Sequence, residues 1–271
     1  MTNRSRPRVF SMKPVFAEGL RLCASLALAG AALAAAAQNS VPGQPDGGEP
    51  QAPLQRKVVA LKPYTAEYKT TARGIALNLT RKLKEGPDDS FTLTNGGKIL
   101  VVGFHEVSVF RVEGTRVVPQ SYVYQGTGLI NRRREVHFTP GSDTIRSLYK
   151  GDWYDLPYKD ATLDRMSQQE QLRLTLLNDP TPKEDISVRI ADGRRVKDYT
   201  LVFRGEETVQ TPMGPVETLH FERIHDDPER KSDTWVAPAL DYLMVKTVHV
   251  EDGQPVEVML TSATLEGGAT D

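Results

Sequence analysis

Residues 195 to 204 read Arg195-Val196-Lys197-Asp198-Tyr199-Thr200-Leu201-Val202-Phe203-Arg204. Residues two apart in a strand share a face, so Tyr199, Leu201 and Phe203 line up with Lys197, while Asp198, Thr200 and Arg204 lie opposite. The alternation predicts a strand with one face in the core and one in water. Working outward, short runs rich in β-branched and aromatic residues recur from 64 to 265, broken by Gly, Pro, Asn and Asp at intervals of roughly 10 to 18 residues. The predicted strands are 64–71, 75–84, 90–94, 98–112, 117–125, 130–138, 144–149, 186–190, 195–204, 207–210, 216–225, 232–236, 242–250 and 256–265. Asn95-Gly96, Glu113-Gly114, Pro140-Gly141, Asp192-Gly193 and Asp252-Gly253 are the expected hairpin turns, with Gly supplying positive φ. Sequential strands with a one-sided core predict a mainly β fold: a single antiparallel, strongly curved sheet or barrel-like domain with one short helix. Closure buries the apolar face and removes exposed edges.

The helix is predicted from Ser167-Gln168-Gln169-Glu170, which reads as a capping box. The Ser167 hydroxyl suits the backbone N–H three residues on, and Glu170 reaches back. Over 167–177 the pattern is apolar on two sides, with Leu172 and Leu176 at i,i+4 and Leu174 and Leu177 at i,i+3 nearly opposite. Asn178-Asp179-Pro180 ends it. Both apolar sides need cover, so the helix is expected against the concave side of the sheet or across the mouth of a barrel.

Residues 1–37 have the order of a secretory signal peptide: a basic stretch from Arg4 to Lys13, an Ala- and Leu-rich run over 22–37, and small residues before Gln38. The run of about 16 residues is shorter than the roughly 20 a bilayer core requires. A cleaved signal and a periplasmic protein with no transmembrane span in its mature chain are expected; an uncleaved N-terminal anchor is the alternative. Residues 38–57, dense in Pro, Gly and Gln, read as a flexible linker. Residues 58–266 are the barrel-like domain and 267–271 a disordered tail. Cys23, the only cysteine, follows Arg21-Leu22 near the start of the apolar run, which is the wrong place for a lipid anchor. The mature chain then lacks cysteine, which excludes disulfides, thiolate catalysis and Cys-based zinc or iron–sulfur sites.

Lys plus Arg total 34 and Asp plus Glu 35, for a formal charge of −1. Residues 1–37 carry Arg4, Arg6, Arg8, Lys13 and Arg21 against Glu18, so removing their four net positive charges leaves a remainder near −5. An acidic mature chain argues against a nucleic-acid partner.

Several segments follow one another in a distinctive order. They are P-Y-T-A-E-Y at 63–68, S-V-F at 108–110, Pro119 with Tyr122 and Tyr124, M-S-Q-Q-E-Q-L-R at 166–173, T-P-M-G at 211–214, W-V-A-P-A-L-D-Y-L-M-V-K at 235–246 and Glu251-Asp252-Gly253. Over nearly all of 63 to 264 the chain resembles an exported Gram-negative family known only as a domain of unknown function, number three thousand one hundred and eight. The resemblance implies an exported, β-rich, soluble domain and brings no catalytic residue with it.

The chain has no G-x-S-x-G elbow, P-loop, G-x-G-x-x-G after a strand, H-E-x-x-H or EF-hand spacing. An enzyme would require a polar cluster inside the barrel with strongly shifted pKa values. His220 and His225, five apart, fall on opposite faces of one strand and cannot chelate one metal; no metal site and no cofactor are expected. His225-Asp226-Asp227 reads as a polar turn, and His105 and Glu106, adjacent in a strand, point apart. Arg132-Arg133-Arg134 and Arg194-Arg195 suit either a solvated strand face or an anion site; the acidic balance favours the former. Tyr149, Trp153, Tyr154 and Tyr158 place four rings within ten residues before the helix, suited to the mouth of a cavity or to packing of a crossover loop.

Two function classes follow. One is a non-enzymatic binding module holding a lipid-like or other apolar ligand, with Trp153, Tyr154, Tyr158, Leu174, Leu177 and Trp235 as candidate ligand-binding residues and the 167–177 helix as a gate. Its cavity is expected to be uniformly apolar. The other is a cell-envelope interaction or assembly protein with a filled barrel and no small ligand.

Overall fold

Alternation like that at 195–204 recurs along the chain, and the described residues form fifteen strands in one sheet. The computed structural model describes residues 58–72, 75–99, 102–128, 131–181, 184–251 and 253–266. The expected signal peptide 1–37, linker 38–57 and tail 267–271 lie outside the described residues. The strands are β1 (Tyr64–Ala72), β2 (Ile75–Glu85), β3 (Ser90–Ile99), β4 (Val102–Glu113), β5 (Arg116–Thr127), β6 (Arg133–Phe138), β7 (Thr144–Tyr149) and β8 (Asp152–Pro157). After β9 (Thr162–Leu163) comes helix α1 (Ser167–Asn178), then β10 (Ile186–Asp192), β11 (Arg195–Thr211), β12 (Gly214–Arg223), β13 (Lys231–Ala237), β14 (Leu243–Glu251) and β15 (Gln254–Leu265).

Across the sheet the order is β8-β7-β6-β5-β4-β3-β2-β1-β15-β14-β13-β12-β11-β10-β9, so the first strand pairs with the last, Tyr64 opposite Leu265. Among the described residues no ladder closes the sheet: β8 and the two-residue β9 are its edges. The expected all-antiparallel pairing fails at one place, β9 against β10, which is parallel. The reason is that α1 lies between them in the chain and supplies the long crossover a parallel pair needs.

Three further expectations are corrected. Asn95-Gly96 is not a turn: it lies inside β3, with Gly96 opposite both Thr80 and His105. Its neighbour Gly97 is required by close approach, since an added Cβ would stand 2.5 Å from the Asn78 carbonyl oxygen. The expected strands 195–204 and 207–210 are one strand, β11, bulged where the register shifts between Phe203 and Gly205. Residues 152–157, expected as part of a crossover loop, form β8, in which Tyr154 and Leu156 share one face and pair with Ser147 and Ile145 of β7.

The two apolar sides of α1 separate into two cores. Leu174 is fully buried in the larger one with Tyr64, Tyr68, Leu83, Phe110 and Leu260. Leu172 and Leu176 enter the other with Val188, Ile190, Leu201 and Phe221, and Leu177 packs against both. The expected capping box is not formed. Asp164, fully buried, caps the helix instead: its Oδ1 accepts from the backbone N–H of Met166 at 2.8 Å and of Ser167 at 2.9 Å, while Ser167 Oγ accepts from the Asp164 N–H. Glu170 is turned away from the backbone to accept from the Tyr64 hydroxyl at 2.8 Å and from Arg173 at 2.7 Å. A buried ion pair that also satisfies a phenol outweighs one capping bond.

Polar side chains of α1 reach widely separated strands. Gln169 accepts from Arg81 of β2, Gln168 from Arg223 of β12, and Gln171 from the Val117 N–H of β5 at 2.7 Å. Across the ends of the sheet order, Arg134 of β6 pairs with Asp192 of β10 at 3.7 Å. Among the described residues no helix is long and apolar enough to cross a membrane.

Candidate functional site

Twelve of the fifteen strands contribute to the wall of one cavity of about 810 Å³, to which α1 adds Gln168, Gln169 and Leu172. That volume lies within the range of small-molecule sites, roughly 300–1,000 Å³. Its apolar wall is made by Leu79, Met166, Leu172, Ile190, Leu201, Phe221, Met244 and Val258. The remainder is polar and dominated by one sign of charge. Arg81, Arg134, Arg165, Arg194, Arg195, Lys197, Arg223 and Arg230 are eight cations; Glu106, Asp192, Asp226 and Asp227 are four anions. The expectation of a uniformly apolar cavity is therefore overturned. The leucine faces of α1 draw the apolar inward side chains into the two cores, and the inward positions left around its first turn carry charge.

Arg81 sits on an otherwise apolar stripe of β2, Leu77-x-Leu79-x-Arg81-x-Leu83, and is only 6% exposed. Its guanidinium donates to Gln169, and its Nε has no hydrogen-bond partner. Burial works to lower its pKa, but Tyr64 and Tyr68, followed by Glu170 and Glu106, hold it above the usual value through space. Yet Glu170 is engaged by Tyr64 and Arg173, and Glu106 accepts from the Tyr122 hydroxyl at 2.7 Å and from Asn95 at 2.9 Å. Arg223 ends the stripe Leu219-x-Phe221-x-Arg223 of β12, donates to Gln168 and lies 4.9 Å over the Tyr199 ring. Burial and the charge of Arg165 hold its pKa below the usual value. Both stripes were legible in the sequence as an arginine next in period two to buried apolar residues.

Ser232, also on the wall, lies between two imidazoles, 2.9 Å from His225 Nε2 and 2.7 Å from His249 Nδ1. A hydroxyl has one proton, so at most one ring accepts from it and the other donates. Burial, then the charges of Arg223 and His249, hold the His225 pKa below its ordinary value. His220 faces the other side of the sheet, stacked on Trp235 with centroids 4.4 Å apart and 2.8 Å from Asp233. Among the described residues no three His, Cys, Asp or Glu side chains converge as metal ligands would.

None of the six residues singled out from the sequence lines this cavity. Trp153 is 46% exposed on the outer side of β8, beneath Arg146 and beside His137. Tyr158 is exposed after the end of that strand, and Tyr154 packs against the larger core. Trp235 faces away from the cavity and donates to Glu207 at 2.8 Å, and Leu174 and Leu177 are engaged in core packing. Strand alternation explains the result: Ser232 and Thr234 face in, so Trp235 cannot. Of the arginine clusters, Arg134, Arg194 and Arg195 do line the cavity, whereas Arg133 pairs outside with Glu135 at 2.5 Å.

The family described as protein of unknown function (DUF3108) matches residues 64–261. The chain belongs to this family. The DUF3108 domain is also similar to a crystal structure of a β-barrel-like protein of domain of unknown function DUF1849 from Brucella abortus. The TM-score is 0.53 at 11% identity, covering 78% of this chain and 100% of that one. At that identity the likeness concerns the fold alone. A candidate lipoprotein from Parabacteroides distasonis overlaps more loosely, with a TM-score of 0.30 at 11% identity over 75% of this chain and 96% of that one. No curated protein matches the chain.

Proposed function

We propose that the DUF3108 domain is an exported, non-enzymatic binding module whose sheet is strongly curved around α1 and holds a small amphiphile in its cavity. The observation that carries the reading is the charge of that wall: a chain whose remainder after residue 37 is near −5 gathers eight cations against four anions around about 810 Å³. Apolar side chains line part of the wall, so the ligand is lipid-like at one end and polar at the other.

The curvature rests on arithmetic. Gln169 and Gln168 touch β2 and β12, which are separated in the sheet by β1, β15, β14 and β13, and Gln171 touches β5. A flat sheet from β5 to β12 would span about 38 Å at roughly 4.8 Å per strand, whereas a twelve-residue helix is about 18 Å long. Export rests on the signal-peptide pattern of residues 1–37. The open cavity weighs against the alternative of an envelope protein with a filled barrel.

The test is native mass spectrometry of protein recovered from the periplasm without detergent, followed by organic extraction. A stoichiometric lipid-sized adduct on a chain beginning at Gln38 is expected. A bare polypeptide that takes up no amphiphile on titration would overturn the binding reading, and a chain retaining residues 1–37 would overturn cleavage.

A further inference from the structure

We infer that Arg81 and Arg223 seat a phosphate group, the head of the ligand that the cavity holds. This rests on the binding reading above and assigns the chemical class of the ligand's polar end. Each guanidinium comes from a different half of the sheet, and consecutive residues of α1 orient them: Gln169 accepts from Arg81 and Gln168 from Arg223. A glutamine carbonyl fixes a guanidinium without neutralising it, so both charges remain for a ligand. The carboxylates that act on Arg81 are already engaged, Glu170 by Arg173 and Tyr64, Glu106 by Tyr122 and Asn95. A buried charged donor without a partner is expensive to maintain. Arg81 is nevertheless 94% buried, on the cavity wall, with its Nε–H unpartnered.

The balance of charge selects phosphate over carboxylate. One two-pronged guanidinium already matches the single negative charge of a carboxylate, so a second would add an unmatched positive charge. Phosphate offers oxygens enough for two guanidiniums. It also carries more charge for the eight cations of the wall, which outnumber its four anions, to meet. Tyr199 lies under Arg223 and keeps its guanidinium plane in one orientation.

The experiment is isothermal titration calorimetry of the mature chain with four probes: a short-chain phosphatidate below its micelle concentration, a fatty carboxylate of equal chain length, the uncharged diacylglycerol, and inorganic phosphate. Phosphatidate is expected to bind one to one, at least tenfold tighter than carboxylate or diacylglycerol. Arg223→Gln, checked for native circular dichroism, is expected to lose that tenfold preference while diacylglycerol binding stays unchanged. Arg81→Gln is expected to do the same, and Arg223, being half-buried, keeps the test sound should Arg81→Gln unfold. Inorganic phosphate binding as tightly as phosphatidate, and lost in Arg223→Gln, would support the phosphate seat while removing the lipid-like reading. Equal affinity for phosphatidate, carboxylate and diacylglycerol, unaffected by Arg223→Gln, would overturn the phosphate seat and leave the amphiphile reading standing. Binding of none of the four would overturn both.

Discussion

The Ser147 hydroxyl donates to the Gly193 carbonyl at 2.6 Å, a buried bond between β7 and the β10–β11 turn, although eleven strands lie between β7 and β10 in the sheet. Laid flat, strands so far apart would be about 58 Å from one another at roughly 4.8 Å per step. This side-chain bond is thus a seam that joins two parts of the sheet far apart in its strand order. Ser147→Ala is expected to cost about 1 kcal/mol. Gly193→Ala is expected to cost about 1–2 kcal/mol, since φ there is +61° and the new Cβ would stand 3.3 Å from the Tyr149 ring. Urea denaturation checks both; no loss in either variant would mean the seam carries no stability.

Glu170 and Arg173 form a buried pair at 2.7 Å, 1% and 3% exposed. Breaking such a pair strands a charge in the interior, so Glu170→Gln is expected to destabilise by about 3–5 kcal/mol. The double variant Glu170→Gln, Arg173→Met should recover much of that loss, because no unpaired charge is left. A double variant as unstable as Glu170→Gln would assign the effect to packing instead.

The buried Asp164 carboxylate accepts from two backbone N–H groups and from the Ser108 hydroxyl at 2.7 Å. Asp164→Ala is expected to cost about 2–3 kcal/mol, and Ser108→Ala about 1 kcal/mol. Hydrogen exchange over 166–170 would accelerate in Asp164→Ala if the carboxylate caps the helix, and would be unchanged if Ser167 does so.

His225 is held below its ordinary pKa of 6.5 by burial, Arg223, His249, Arg230 and Lys197. On acidification it protonates first in the unfolded chain, so below pH 6.5 the unfolded state binds the extra proton and stability falls. The fall ends once the folded-state pKa is passed. Melting temperatures at pH 7.5 and 5.5 should differ less in His225→Asn than in the wild type. Equal differences would place the acid sensitivity elsewhere.

Leu174 is fully buried between α1 and the sheet but does not touch the cavity. Leu174→Ala is expected to cost about 2–5 kcal/mol while leaving the proposed amphiphile binding of the folded protein unchanged. An affinity loss at temperatures where the variant is fully folded would give the helix the gating role expected from its sequence.

What could be read from the chain was local. Period-two alternation at 195–204 marked a strand because a half-buried strand must show its two faces in its sequence, and Leu172, Leu174, Leu176 and Leu177 announced a helix covered on two sides. The same alternation held the clue to Arg81, set between Leu79 and Leu83, and to Arg223, which follows Leu219 and Phe221 on one face. It did not say what those stripes face. A strand's inward side is fixed by its own residues, whereas the content of the space it faces depends on strands brought together from across the sheet. The seam at Ser147 and Gly193, the engagement of Glu170 and Glu106 by other partners, and the cationic wall thus arose only in the tertiary structure. Conspicuous aromatics such as Trp153 and Trp235 face away from the cavity because each stands one residue out of phase with the inward positions of its strand.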